Sequence, residues 1–91
     1  MMLRDERFPF STIREVSDSL RANGMQETCK RFGADSVEVA FLAAYCEFMD
    51  TQSQKAIDEL DAFRTLRLKV YVANDPHRND FWDLTFRIER I

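Results

Sequence analysis

The feature that most constrains the fold is the stretch Ser36–Met49, which carries only two charged side chains, Glu38 and Glu47. Three alanines within it favour a helix over a strand. The alternation at its start, Val37–Phe41, leaves a short strand there as the alternative. A helix that is apolar on all sides must be covered, either by the rest of a small domain or by a partner.

The length of 91 residues predicts one domain, and an apolar content of 45% with eight Phe is enough for a modest core. We expect residues 11–91 to form the globular domain and residues 1–10 to form an N-terminal arm. Pro9 discourages a helix in this arm. Phe8 and Phe10 on either side of it are expected to attach the arm to the body, or alternatively to form an exposed aromatic hook for a partner.

Apolar spacing of three and four residues predicts four helices, over about residues 12–23, 25–32, 36–50 and 53–66. Residues typical of helix starts and helix ends lie at most of the boundaries of these helices. These are Thr12 with Glu15, Asp35 with Glu38, and Ser53 at three starts, and Gly24 and Gly33 at two ends. The apolar stripes of the first and fourth helices are expected to cover the central helix.

From Leu66 onward the apolar period changes from 3.6 to 2, which is typical of strands. Residues 66–73 and 81–90 are therefore predicted as an antiparallel hairpin across a polar turn. A lone hairpin is marginal in water, so its apolar face must lie on the helices. The predicted class is α+β, with the helices first and the hairpin last. The apolar face comprises Leu66, Leu68, Val70, Val72, Trp82, Leu84, Phe86 and Ile88.

The residue types that carry catalysis or bind metals are sparse in this sequence. His77 is the only histidine and sits in the predicted turn beside Arg78, without a second ligand nearby. Cys46 is expected to be buried, where a thiol is inert. The two glycines are too few for a phosphate-binding loop. We therefore expect a protein that is not an enzyme and holds no metal or cofactor.

The charge, the apolar segments and the number of cysteines indicate the cellular compartment of the protein. The net charge is −3, and residues 35–62 carry seven acids against one lysine, Lys55. An apolar segment of the kind that a signal peptide needs is missing after Met1, and the longest apolar run, Val39–Cys46, is too short to span a membrane. With only two cysteines, we expect a cytoplasmic protein without membrane contact.

These patterns favour a small accessory or regulatory protein, such as an adaptor, inhibitor or assembly factor, that acts through protein–protein contact. Arg and aromatic residues anchor many interfaces, and the polar face of the hairpin is rich in both. Pairing with a second copy, through the alanines of the central helix or the hairpin edge, is a further option. The candidate partner-binding residues are Arg64, Arg67, Lys69, Tyr71, Arg87 and Tyr45.

The order of two helices, a polar turn between them and a hairpin resembles the layout of winged-helix DNA-binding regulators. Residues 51–60 resemble the start of a recognition helix, and residues 75–85 resemble a wing. The resemblance implies that Gln52, Gln54 and Lys55 face the major groove, and that Lys69 and Arg78 contact phosphates. This reading is the alternative, because the acids at positions 58, 59 and 61 would repel phosphates.

Overall fold

The computed structural model describes residues 7–74 and 82–91, and these form an α+β fold of four helices and a three-stranded antiparallel sheet. The predicted class, the four helices and the C-terminal hairpin are confirmed, and the sheet gains a third strand. The predicted turn, with His77 and Arg78, lies outside the described residues. In chain order the elements are β1 (Phe8–Pro9), α1 (Phe10–Asn23), α2 (Met25–Phe32), α3 (Ser36–Thr51), α4 (Gln54–Asp61), β2 (Leu66–Asn74) and β3 (Trp82–Arg90).

The apolar stretch forms α3, and its predicted capping box is confirmed. The Glu38 backbone N–H donates to Asp35 Oδ1 at 2.8 Å, and the Asp35 backbone N–H donates to Glu38 Oε1 at 2.9 Å. These two bonds satisfy donors that a helix start would otherwise leave unpaired. The segment Val37–Phe41 is helical, so the strand alternative is excluded.

Helix α2 has the predicted bounds, and Gly33 ends it in the left-handed conformation. Helix α1 begins two residues earlier than predicted, and the predicted capping box of Thr12 and Glu15 is wrong. The chain leaves the sheet at Pro9, which is extended, and turns into the helix at once. Thr12 therefore lies inside the helix and is fully buried rather than capping it.

Helix α4 is shorter than the predicted 53–66, because it ends at Asp61 and a turn over residues 62–65 follows. Ser53 caps its start as predicted, accepting a bond from the Ala56 backbone N–H at 3.2 Å. At the other end Leu66 is buried and already pairs with β3. Pairing with β3 thus overrides the helical pattern that the sequence shows up to Leu66.

The sheet has the order β1-β3-β2, so β3 is its central strand. The hairpin strands match the prediction to within one residue at the turn, whereas β1 was not predicted as a strand. Phe8 pairs with Phe86 and is only 1% exposed, so the arm is attached as expected. Phe10 is 43% exposed, although its ring centroid lies 5.6 Å from that of Phe86.

The core lies between the helices and one face of the sheet. The sheet contributes Phe8, Leu66, Phe86 and Ile88 to it. The helices contribute Ile13, Val16, Phe32, Val39, Phe41, Leu42 and Cys46.

The helices do not cover the whole apolar face of the hairpin. Val70 is 48% exposed and Leu84 36% exposed, so the expectation that this entire face lies on the helices is wrong. These two residues lie nearer the hairpin turn than the buried Leu66 and Ile88. The side chains of Val72 and Trp82, predicted on the same face, are outside the described part.

The attachment of the arm gives a testable prediction about stability. Phe8→Ala should lower the free energy of unfolding by about 3 kcal/mol, because it removes a fully buried ring and leaves a cavity. Phe10→Ala is the matched control and should cost less than about 1 kcal/mol, since that side chain is largely exposed. Chemical denaturation followed by circular dichroism measures both, and equal losses would contradict the burial of the arm.

Candidate protein-binding surfaces

The outer face of the sheet brings together the residues predicted on the polar side of the hairpin. Lys69 is directly opposite Arg87, and Tyr71 is opposite Thr85. Directly opposite residues of an antiparallel pair lie on the same face. Arg67, opposite Glu89, belongs to this face as well. The helices pack on the other side of the sheet, so we call this the outer sheet face.

On the outer sheet face, the Glu89 carboxylate lies close to two cations, Arg67 and Lys69. Arg67 Nε donates to Glu89 Oε2 at 3.0 Å, and Lys69 Nζ lies 4.0 Å from Glu89 Oε1. The Arg67 side chain is 64% exposed, so this ion pair stabilises the hairpin only weakly. Its guanidinium therefore remains accessible to a partner.

Tyr71 lies among these cations. The Arg7 guanidinium lies over the Tyr71 ring, 3.8 Å from the centroid, and Lys69 Nζ is 5.7 Å from the same centroid. The sequence did not indicate Arg7 as part of this face. Its position depends on the pairing of β1 with β3, and a strand of only two residues is too short to show an alternating pattern. Among the side chains that the structure describes, this face carries four cations, Arg7, Arg67, Lys69 and Arg87, and the carboxylate of Glu89.

Two predicted partner-binding residues are not part of this cluster. Arg64 is exposed in the turn between α4 and β2. Tyr45 lies on α3 and is partly buried against the core, with ring centroids 6.3 Å from those of Phe41 and Phe48. The Tyr45 ring therefore contributes to packing within and around α3.

The residues of the DNA-binding alternative lie on separate elements. Gln52 is the left-handed residue after α3, and Lys55 is exposed on α4. The Gln54 side chain donates to Asp58 Oδ1 at 3.0 Å, so this amide is engaged within its own helix. Lys69 is on the outer sheet face, and Arg78 is outside the described residues.

A second surface is a groove of about 770 Å³ between α1, α3 and the segment around the end of α4. Its floor is formed by the alanine methyl groups of α3, with apolar side chains from the neighbouring elements. The floor comprises Ala40, Ala43, Ala44, Leu20 and Phe63, and the rim comprises Arg21, Glu47, Asp50 and Glu59. The sequence offered a signal for this groove, since three alanines spaced three and four apart share one face of a helix.

An ion pair between Arg14 of α1 and Asp50 of α3 lies at one end of the groove. Arg14 Nη1 and Nη2 donate to Asp50 Oδ2 and Oδ1 at 2.7 and 2.5 Å, a two-pronged geometry that orients both side chains. Hydrogen bonding to Arg14 lowers the pKa of the Asp50 carboxyl, and the same bonds raise the pKa of Arg14.

Residues 7–74 and 82–91 contain no group of three or more His, Cys, Asp or Glu side chains that could hold a metal ion. Within the same ranges, none of the helices combines the length and apolarity that crossing a membrane requires.

Comparison of the chain with models of known protein families finds no match. Neither curated proteins nor solved structures give a match.

The ion pair of Arg14 and Asp50 gives a prediction about pH. Asp50 should titrate below its ordinary value of 3.8, because the guanidinium favours its charged form. A carboxyl whose pKa is lowered on folding stabilises the fold above its ordinary value, and this contribution is lost as the pH falls through the lowered value. A carboxyl-carbon NMR titration measures it.

Arg14→Gln should return the Asp50 midpoint toward 3.8, whereas Arg64→Gln, which changes an exposed arginine on another element, should leave it unchanged. An Asp50 midpoint that does not move in the Arg14 variant would show that the contact is absent in solution.

Proposed function

We propose that this protein is a non-enzymatic accessory or regulatory protein of the cytoplasm that binds an acidic surface of another protein through its outer sheet face. The observation that carries the proposal is the presence of four described cations on a sheet face that the helices leave open, with Arg7 and Lys69 beside the Tyr71 ring. Arg and Tyr are residues that anchor protein interfaces, because they combine apolar contact area with polar groups.

The pairing of Lys69 with Arg87 supports this role. Like charges directly opposite each other in a sheet destabilise the pairing of the two strands. Local arrangements that cost stability are more often found where a surface has a function. An acidic partner would add negative charge next to these two cations, beyond that of Glu89, which lies 4.0 Å from Lys69.

The distribution of charge supports an acidic partner rather than a basic one. Among the described side chains of the outer sheet face, Glu89 is the one that is negative, and Arg67 and Lys69 lie close to it. The excess positive charge would attract an acidic surface before contact and favour its orientation. A chain whose net charge is −3 thus presents one locally basic face.

The test uses Lys69→Glu, which should weaken binding without unfolding the hairpin. The new carboxylate would lie opposite Arg87, an attractive pair that offsets the lost contact with Glu89. We expect unfolding free energy to change by no more than about 0.5 kcal/mol. The affinity for an acidic ligand should fall about tenfold, because the face loses one cation and gains an anion.

The probe is a short synthetic peptide of repeated Glu-Ala-Glu-Phe units, titrated into the isotopically labelled protein at low salt and followed by amide NMR shifts. Shifts should map to Arg67, Lys69, Tyr71 and Arg87. Lys55→Glu is the matched control, since it makes the same charge change at an exposed position on α4 and should bind as the unchanged protein does.

Two outcomes would overturn the proposal. One is the absence of shifts on the outer sheet face at low salt. The other is preferential binding of a short DNA duplex with shifts at Gln52, Gln54 and Lys55, which would support the winged-helix alternative.

A further inference from the structure

The groove of about 770 Å³ lined by α3 is a second surface, separate from the outer sheet face and opposite to it in charge. We infer that it binds a basic amphipathic helix of a partner protein. The inference does not depend on the function proposed above, because the two surfaces lie on different elements and carry different charges.

The floor of the groove suits a helix. Ala40 and Ala43 are half-buried, so their methyl groups are partly accessible in the groove, and Ala44 lines it although it is only 8% exposed. Small residues let a second backbone approach closely, so a bound helix could pack against α3 while its apolar side chains contact Leu20 and Phe63.

The length of the groove sets the length of the partner. Residues 40–51 of α3 span roughly 17 Å at the rise of an α-helix, which matches about three turns of a bound helix. The groove is open to solvent, since Glu47, Thr51 and Ala62, which line it, are exposed. An open groove fits an elongated segment better than a small ligand, which usually needs a more enclosing pocket.

The charges of the rim favour basic residues on that segment. Glu47 and Glu59 line the groove from α3 and α4, and within the described part of the chain neither forms an ion pair. Asp50 is already engaged by Arg14, and Arg21 is the one cation among the lining residues. Lys or Arg side chains flanking the apolar stripe of the bound helix would therefore meet unengaged carboxylates.

The test titrates the protein with a synthetic peptide of repeated Lys-Leu-Ala-Ala-Lys-Leu-Ala units, and with the same peptide carrying Glu in place of Lys. The basic peptide should bind with shifts at the methyl groups of Ala40, Ala43 and Ala44. The acidic peptide should leave these methyl groups unchanged.

Ala43→Leu should weaken binding of the basic peptide at least about tenfold, because the larger side chain projects into the space where the bound helix would approach α3. Ala22→Leu is the matched control, made at an exposed position of α1, and should bind normally. Glu47→Lys combined with Glu59→Lys should also lose about tenfold in affinity.

The inference fails if the basic peptide does not bind, or if Ala43→Leu binds it as tightly as the Ala22→Leu control. It also fails if light scattering shows a dimer that Ala43→Leu dissociates, because the groove would then be occupied by a second copy of this chain.

Discussion

Burial of α3 is the constraint on which the rest of the structure depends. Its buried side chains, Val39, Phe41, Leu42 and Cys46, form the centre of the core. Helices α1, α2 and α4 pack around it, and the sheet closes the core by packing against α1. The capping box at Asp35 sets where α3 begins, and Arg90 Nη2, which donates to Asp35 Oδ2 at 2.8 Å, links that start to the end of β3.

The covering of α3 is incomplete, and this creates the groove. The aromatic side of α3, with Tyr45, turns toward neighbouring side chains, while the alanine side remains accessible between α1 and α4. Acidic residues at the ends of α3 and α4 give this opening its charge. The outer sheet face is also uncovered, but it is basic. One small domain thus carries two surfaces that suit partners of opposite charge.

Much of this fold could be predicted from the sequence, because the apolar period and the capping residues agree over most of the chain. The exceptions have a common cause. The end of α4, the start of α1 and the strand β1 are fixed by pairing with β3, which lies far away in sequence. The outer sheet face could be predicted from alternation alone, except for Arg7. Tyr45, a candidate partner-binding residue from the sequence, packs near Phe41 and Phe48, whereas the alanines of the same helix line the groove.

Helix α3 is covered on every side except its alanine face, and methyl NMR with a soluble gadolinium complex tests this arrangement. The complex enhances relaxation only at groups it can approach. The methyl groups of Ala40 and Ala43 should relax much faster in its presence, whereas that of the fully buried Ala56 should be nearly unaffected. If Ala43 is as protected as Ala56, the groove is closed in solution and α3 has no open face.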